Sequence, residues 1–509
     1  MTLFRRRAPC TVPLDRSGRM GTPRCPGSPG PPDLPPVSLR DTLSPGGFAQ
    51  TVAAMAVCLA LMATYPMPIH GQSPSSSPSP SLSEVEVPEV EVPEVDVTGV
   101  RASETQTREV QAPDPHLETA LRVLATTPLI DGHNDLPWQI RLDEDYPMDV
   151  RGYGLEDRPQ GHTDLPRLRE GRLGGQFWSV YVPVTAMETG AARFQLEQID
   201  IALRLLEEYP EHFGLALTAE DVMRVFHEGR IASILGMEGG HAIENSLGAL
   251  RVYFDLGVRY MTLTHNAHLD WADAASHPPL HGGLTAFGRE VVREMNRLGM
   301  LVDLSHVSDG TMSDVLDVSE APVIFSHSSV RALTDHVRNV PDSILDRLPG
   351  NGGVVMVTFV PSFVSEEVRL HGVARSEQAV ELAARHPEDE EAVARGMAEW
   401  DRENPEPSAS LEDVADHIDH VRDRIGVAYV GIGADYDGIT SVPVGLEDVS
   451  TYPALLAELS RRGWTEAELR MLAGENVLRV MREAEAVARR LQRERGPSHL
   501  TIEGVDGGG

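Results

Sequence analysis

The sequence predicts an α/β fold, a (β/α)8 TIM barrel with a disordered N-terminal leader and spacer. Two observations carry this prediction. After about residue 116, eight apolar runs of strand length alternate with amphipathic helical stretches. The runs are continuously apolar instead of alternating with polar residues, which is typical of parallel strands covered on both faces. A chain of 509 residues with 41% hydrophobic residues is large enough for one such barrel with appended segments.

Each predicted strand is one apolar run. The eight runs are Pro128–His133, Phe177–Val184, Ile231–Glu238, Tyr260–His265, Met300–His306, Pro322–His327, Gly352–Val360 and Val427–Ala434. Helical periodicity lies between them, for example in Ser246–Leu256, Ala286–Leu298 and Leu411–Arg424. The predicted barrel domain covers residues 116–490. Within it a charged segment at about 365–410 interrupts the alternation and predicts a helical insertion over a loop. Residues 491–509 are predicted to be a flexible tail.

The N-terminal region has a different composition. Residues 1–72 form a leader whose run from Phe48 to Tyr65 is apolar and uncharged, and such a run predicts an export signal or a membrane anchor. The sequence leaves open whether the run is cleaved or retained as a tether. We therefore expect an exported protein, which is periplasmic, anchored to the cell envelope or secreted. Residues 73–115 are Ser/Pro-rich and then repeat Glu-Val-Pro, which predicts a disordered spacer. Valine alternation would favour a strand there, but Pro88 and Pro93 oppose it.

Charge and cysteine content exclude some classes of function. The formal net charge is −33, so the surface repels phosphate backbones and nucleic acid is not an expected partner. The three cysteines, Cys10, Cys25 and Cys58, all precede residue 60. A metal bound in the barrel would therefore use His, Asp and Glu ligands.

Four of the predicted strands end in side chains that suit a metal ion. His133 ends the first strand and Asp135 follows it, Glu238 ends the third, His306 ends the fifth and His327 ends the sixth. Each residue alone is more often a hydrogen-bonded structural group. Together they lie at the carboxyl ends of barrel strands, where the active sites of this fold collect. Five ligands are too many for one tetrahedral ion, so we expect two Zn²⁺ ions bridged by Glu238, with Mn²⁺ or Co²⁺ as alternative ions.

These residues also carry a family resemblance, in ordered motifs from about residue 117 to 487. The motifs are Leu129–Asp135, Gly174–Ser179, Gly236–His241, Thr262–Asn266, Asp303–His306, Phe325–Ser328, Val337–Pro341, Gly433–Gly438, Gly445–Val449 and Trp464–Glu466. In these segments the chain resembles the membrane (renal) dipeptidases. The resemblance implies a barrel hydrolase with two zinc ions, usually a homodimer, that cleaves dipeptides and tolerates a D-residue at the carboxyl side. The matched region has no cysteine, so a disulfide-linked dimer is not implied.

The resemblance further implies roles for single residues. One ion would bind His133, Asp135 and Glu238, and the other Glu238, His306 and His327. The substrate would contact His265, Arg338 and Asp435. Three alternatives stay open: His265 as a core histidine bonded to a carbonyl, Arg338 in a surface ion pair, and Asp437 in place of Asp435, on the same face of the strand end. The inserted segment at 365–410 lies near the expected substrate cleft, so it leaves side-chain preference undetermined.

The predicted reaction is hydrolysis of dipeptides, L-Xaa-L-Xaa and also L-Xaa-D-Xaa, by a hydroxide that bridges two zinc ions. Two ions would lower the pKa of a shared water, and one would polarise the peptide carbonyl. His265 would donate to the oxyanion, Asp435 would manage a proton or hold the amino group, and Arg338 would pair with the free carboxylate. The alternatives are a related metal-dependent amidohydrolase acting on acyl-amino acids or lactones, and a non-catalytic tethered surface protein.

Overall fold

The computed structural model describes residues 114–507 of the chain. The leader, the apolar run Phe48–Tyr65 and nearly all of the Glu-Val-Pro spacer lie outside the described residues. Nine parallel strands form one sheet. They are β1 Leu129–Asn134, β2 Leu173–Ser179, β3 Phe213–Leu215, β4 Ile231–Glu238, β5 Val258–Thr262, β6 Leu301–Asp303, β7 Ile324–Phe325, β8 Val354–Val357 and β9 Val430–Ile432.

Eight of the strands close into a barrel, as the sequence predicts. The ring runs β1, β2, β4, β5, β6, β7, β8 and β9, and β9 pairs again with β1 through Asp131 and Ile432. Each predicted run overlaps one ring strand, although β2 begins at Leu173 and β5 at Val258, before the predicted runs. The short strand β3 is an addition without a predicted run. It pairs with the first half of β4, where Phe213 lies opposite Ile231. The ring strands are buried almost throughout, which explains their continuous apolar sequences.

In the part of the chain that the structure describes, eleven longer helices accompany the barrel. They are α1 Pro115–Leu124, α2 Ala191–Glu208, α3 Ala219–His227, α4 Leu247–Asp255, α5 Ala286–Leu298, α6 Asp309–Val318, α7 Glu366–Arg385, α8 Glu390–Glu403, α9 Leu411–Ile425, α10 Tyr452–Arg461 and α11 Asn476–Glu494. Shorter helical segments are Leu136–Leu142, Val150–Tyr153, Leu165–Glu170, Val184–Glu188, Gly240–Ile243, Asp342–Leu345, Leu348–Asn351, Pro361–Val364, Val427–Tyr429, Val449–Thr451, Glu466–Arg470, Met471–Glu475 and Ile502–Val505. Among residues 114–507, no helix combines the length and apolar character needed to cross a bilayer.

Local sequence explains where these helices begin and end. The Thr285 hydroxyl accepts a hydrogen bond from the Gly288 amide and caps α5, which ends before Gly299 in a left-handed conformation. Ser410 and Asp413 form a capping box at the start of α9. Both helices begin at the predicted residue, because the caps and the apolar periodicity indicate the same boundary.

The charged insertion and the C-terminal segment are both ordered in the structure. The insertion forms the helical pair α7 and α8, joined by an ion pair between Arg375 and Asp401. The predicted flexible tail is instead helical up to Glu494. Beyond it, the Asp506 carboxylate accepts a hydrogen bond of 2.6 Å from the Thr285 hydroxyl. The polar, Gly-rich composition suggested flexibility, but capping of α5 by Asp506 holds this segment against the barrel.

Candidate metal centre

The predicted site residues meet at the carboxyl end of the barrel. His133 lies in β1, Glu238 ends β4, and the other side chains follow β1, β5, β6, β7 and β9 within three residues of the strand end. His133, Asp135, Glu238, His306 and His327 are buried. His265 and Asp435 are slightly more open, with side chains 13% and 14% exposed. The structure therefore brings together all seven residues, which come from six different strands.

Glu238 lies at the centre of this cluster, and its two oxygens face different neighbours. Oε2 is 3.3 Å from His133 Nε2 and accepts a hydrogen bond from the Ser179 hydroxyl. Oε1 is 3.0 Å from His306 Nε2 and 3.7 Å from His327 Nε2. The carboxylate thus has one oxygen on each side of the cluster, as a bridging ligand requires.

On one side of Glu238, carboxylates surround His133. Its Nε2 is 3.2 Å from Asp135 Oδ2 and 3.9 Å from Asp435 Oδ1. Strand alternation predicts that His133 and Asp135 share a face, but Asp135 lies beyond the end of β1 and begins the helix Leu136–Leu142. Its amide donates to the Tyr436 carbonyl, and this turn brings its carboxylate to His133. The two side chains are therefore close because of this turn and not because of strand alternation.

On the other side of Glu238, imidazoles dominate. Nε2 of His306 and Nε2 of His327 are only 2.9 Å apart. The His265 ring lies 4.3 Å from the His306 ring, and its Nε2 is 3.7 Å from Glu238 Oε1. Two imidazole nitrogens this close need a proton or a cation between them.

Hydrogen bonds determine which nitrogen of each histidine is free to bind a metal. Asn266 Oδ1 can only accept, so it takes the Nδ1 proton of His306. The Ser326 hydroxyl donates to the Asp303 carboxylate, so it accepts from His327 Nδ1. The Tyr260 hydroxyl lies 2.8 Å from His133 Nδ1 and donates to the Gly132 carbonyl, so it also accepts.

In His306 and His327, therefore, Nδ1 carries the proton and Nε2 presents a lone pair to the shared space. This is how ligating histidines are held in metal sites. Tyr260, Glu238 and Asp135 raise the pKa of His133 well above its usual value against the effect of burial, so a cation bound there would replace the proton on its Nε2. Gly236 leaves room for the Tyr260 ring, since a Cβ there would lie 2.1 Å from it. Three imidazole nitrogens and three carboxylates in one buried space fit bound divalent cations.

The charges of the buried groups also favour cations. Burial raises the pKa of Glu238, and burial together with Asp135 and Glu238 raises that of Asp435 well above its usual range. Burial holds the pKa of His306 and His327 well below the usual value, with Arg338 as the next cause for His306 and His133 for His327, so both imidazoles are neutral. A cation would stabilise the carboxylates without competing with protons on these imidazoles.

Two site residues adopt a conformation that side chains other than glycine rarely take. His306 has φ of 70° and Asp435 has φ of 69°. Asp437 also has a positive φ, but its carboxylate lies 2.8 Å from the amide nitrogen of His162 and accepts its hydrogen bond. The successive left-handed turns separate the two aspartates that the sequence places on one face, so Asp435 faces the cluster and Asp437 does not.

His265 and Arg338 complete the cluster. His265 Nδ1 has no hydrogen-bond partner among residues 114–507. No neighbour at Nδ1 therefore sets the tautomer of this ring, in contrast to the other three histidines. The open alternative, a histidine bonded to a carbonyl, does not fit this ring. Arg338 is buried, with its guanidinium 5.2 Å from the Phe363 ring centre, which does not fit a surface ion pair. Its charge acts on Glu238, His265 and His306.

The donor atoms could be divided between two metal positions in more than one way. In each of three groups, the donor atoms lie within 4.8 Å of one another. The groups are His133 with Glu238 and His327, Glu238 with His265 and His306, and His133 with Asp135 and Asp435. These groups include all five predicted ligands and also His265 and Asp435. Sequence patterns did not single out the groups that orient the histidines, Tyr260, Asn266, Ser326 and Asp303, although all but Tyr260 lie within the quoted motifs.

Comparisons with known proteins identify the family of this chain. The sequence profile described as membrane dipeptidase, Peptidase family M19, matches residues 117–495. The chain belongs to the membrane dipeptidase family. It is thus a zinc-dependent metallo-dipeptidase, a hydrolase of dipeptides, and the resemblance drawn from the motifs is confirmed.

This dipeptidase is 43% identical over 390 residues to Dipeptidase verJ of Clonostachys rogersoniana, covering 74% of this chain and 90% of that protein. Among solved structures it is similar to the probable dipeptidase PvdM from Pseudomonas aeruginosa, with 25% identity and a TM-score of 0.65 over 74% of this chain and all of that one. A metallo peptidase from Rhodobacter sphaeroides, liganded with a phosphinate mimic of L-Ala-D-Ala, has 27% identity and a TM-score of 0.58 over 70% of this chain and 99% of that one.

Proposed function

We propose that the dipeptidase uses two zinc ions, one on each side of Glu238. The observation that carries this proposal is the division of the Glu238 oxygens between two groups of donors. His133 and Asp135 would complete one site, and His306 and His327 the other. Bound there, zinc activates a water molecule and polarises the scissile carbonyl. The short contact between His306 Nε2 and His327 Nε2 supports an ion between these two rings.

Residues of the chain would orient the dipeptide around these ions. Asp435 is a carboxylate at the edge of the cluster and would accept a hydrogen bond from the free ammonium group. Arg338 would pair with the free carboxylate, because its planar fork matches two oxygens. Recognition of both termini restricts cleavage to dipeptides. An L- or D-residue at the carboxyl side would present the same carboxylate, and the phosphinate mimic bound to the related peptidase has an L,D configuration.

His265 would donate a hydrogen bond to the oxygen that gains charge in the transition state. Its pKa is held well below the usual value, by burial first and then by Arg338. The ring is therefore neutral, with one N–H to donate. The greater exposure of His265 and Asp435 supports assigning them to substrate, since the five proposed ligands have side chains no more than 8% exposed.

Metal analysis and substrate panels test this proposal. Purified protein should contain two zinc equivalents and should hydrolyse one L,L- and one L,D-dipeptide. A chelator should abolish hydrolysis, and added Zn²⁺, Mn²⁺ or Co²⁺ should restore it. Hydrolysis of N-acyl amino acids or lactones in preference to dipeptides would favour the alternative amidohydrolase. A single bound equivalent with full activity would contradict the bridged pair of ions.

We further propose that the protein is exported, with residues 48–65 as a signal or tether, and that it forms a homodimer. The support is the uncharged apolar run in the sequence and the family resemblance. Fractionation of producing cells and light scattering of the purified protein test these two proposals. A protein found only inside the cell, or a monomer at micromolar concentration, would contradict them.

A further inference from the structure

Two buried aspartates outside the ligand set occupy equivalent places in the barrel. Asp131 lies in β1 opposite Ile432 of β9, and Asp303 lies in β6 opposite Ile324 of β7. Both are fully buried, and within residues 114–507 no arginine forms an ion pair with either one. A buried carboxylate without a cationic partner is costly, so its position calls for a reason.

The hydrogen bonds of the two aspartates follow the same pattern. Asp131 Oδ1 accepts from the amide of His133, two residues along its own strand, and from Ala434, two residues beyond Ile432. Asp303 Oδ1 accepts from Ser305, again two residues along, and from Ser326, two residues beyond Ile324. The four distances are between 2.8 and 3.1 Å. Each carboxylate therefore joins the ends of two neighbouring strands.

The joined strand ends carry the site residues. Asp131 holds His133 directly, and through Ala434 it holds the backbone next to Asp435. Asp303 holds Ser305 and Ser326, which directly precede His306 and His327. The two joined pairs of strand ends also approach each other closely. A Cβ on Gly433 would lie 1.8 Å from the Ser326 carbonyl oxygen. Asp131 thus serves one side of Glu238 and Asp303 serves the other.

The second oxygens of the two aspartates have different partners. Asp131 Oδ2 accepts from the Tyr452 hydroxyl, away from the histidines. Asp303 Oδ2 accepts from the Thr262 hydroxyl and, at 2.7 Å, from the Ser326 hydroxyl. Because Ser326 donates to Asp303, it must accept from His327 Nδ1, and this leaves His327 Nε2 free as a ligand.

We propose that Asp131 and Asp303 are equivalent positioning residues, one for each metal position, and that Asp303 also selects the metal-binding tautomer of His327. This inference rests on the proposed two-ion function. An amide at residue 303 would donate to the Ser326 hydroxyl, which would then donate to His327 Nδ1 and place the imidazole proton on Nε2. An amide at residue 131 can keep both backbone bonds through its oxygen and donate to the Tyr452 oxygen.

The test is zinc stoichiometry and affinity of the full chain, measured by dialysis against buffered zinc, with Co²⁺ absorption as a second readout. Asp303→Asn should weaken the affinity for one of the two zinc ions about 10- to 100-fold, the range typical of groups that orient metal ligands. Asp131→Asn should keep both equivalents near wild-type affinity. Asp131→Ala and Asp303→Ala should each weaken one equivalent, because both lose the bonds to the strand ends.

Control variants separate positioning from folding. Glu294→Gln removes a buried carboxylate that pairs with Arg297 and Arg251, and it should lower stability while keeping both ions. If Asp303→Asn does not fold, Ser326→Ala tests the same relay, and the binding of one zinc ion should again be weakened. Two tightly bound ions in Asp303→Asn, or in Ser326→Ala where that variant is needed, would overturn the inference. Fewer than two ions in the wild type would instead contradict the proposed function.

Discussion

The two sides of Glu238 differ in charge. The carboxylate side consists of His133, Asp135 and Asp435, and the imidazole side of His265, His306 and His327. The carboxylate side adds two acidic groups to the shared Glu238, whereas the imidazole side consists of rings whose pKa is held low by burial and Arg338. A dipeptide has the matching polarity, with an ammonium group at one end and a carboxylate at the other. In the proposed mechanism, this difference in charge would orient the substrate with its amino end toward Asp435.

The largest effect is expected from a substitution of Glu238, which lies between the two sides. Glu238→Gln replaces a bridging carboxylate with a neutral amide, so both metal positions should weaken. We expect kcat/KM to fall on the order of 1000-fold or more, because several kcal/mol of electrostatic stabilisation depend on the ions. Metal content and steady-state kinetics measure this. Glu244→Gln, an exposed substitution on the same loop, should change neither. Normal zinc content with full activity in Glu238→Gln would remove the bridge from the mechanism.

His265→Ala tests whether the imidazole side contributes a hydrogen-bond donor as well as ligands. Both ions should stay bound, and kcat should fall on the order of 100- to 1000-fold, because the lost donor acts mainly in the transition state. Metal content and kinetics on one preparation measure this. His281→Ala, on the same loop, is the control, since that ring bonds to the Leu269 carbonyl. Loss of a zinc equivalent would show that His265 is a ligand, and unchanged kcat/KM would make it structural.

Arg338→Lys tests the proposed polarity of substrate binding. Lysine keeps the charge but loses the planar fork, so KM for a dipeptide should rise about 10- to 100-fold, the worth of a charged hydrogen bond. For a dipeptide amide, which lacks the carboxylate, the substitution should have little further effect. Arg347→Lys alters an arginine that pairs with Asp317 at the surface, and should leave KM unchanged. An equal loss for both substrates would contradict carboxylate recognition by Arg338.

His417 offers a buried imidazole outside the site for comparison. Burial lowers its pKa to about 4, and Nδ1 accepts from the Val330 amide. Because the unfolded value is near 6.5, the folded state binds fewer protons, so stability is complete above about pH 6.5 and falls as the pH drops toward 4. Between pH 7 and 5 this group should cost about 2 kcal/mol. Urea unfolding of His417→Gln should show a weaker pH dependence. If the free energy of unfolding depended on pH equally in both proteins, His417 would not be a source of this pH dependence.

The smallest effect is expected outside the barrel. Deletion of residues 1–113 should leave zinc content and kcat/KM unchanged, because the spacer composition provides no face to bury. The cut must keep Asp114, which caps α1 and pairs with Arg461. A deletion through Leu124 should reduce stability strongly, because it removes Ala120, Val123 and Leu124 from the core. Thermal unfolding and activity compare the two. Loss of folding in the shorter deletion would show that the spacer is structural.

Much of this protein follows from sequence alone. The eight buried strands have continuous apolar runs and their connecting helices have amphipathic periodicity, so the barrel follows from local pattern. The ligand types also follow, because metal-binding residues at successive strand ends must meet at one end of a parallel barrel. The short strand β3 escaped prediction because three residues are too few to form a recognisable run.

Only the tertiary structure decided how these residues are oriented. The choice between Asp435 and Asp437 depends on two left-handed turns, and the approach of Asp135 to His133 depends on a bond to Tyr436. The tautomers of His133 and His327 depend on Tyr260 and Asp303, which lie on other strands. Local periodicity determines which residues are buried and on which element they lie. Strand register between residues as far apart in sequence as Asp131 and Ile432 determines which polar atoms meet, and a single sequence contains no local signal of that register.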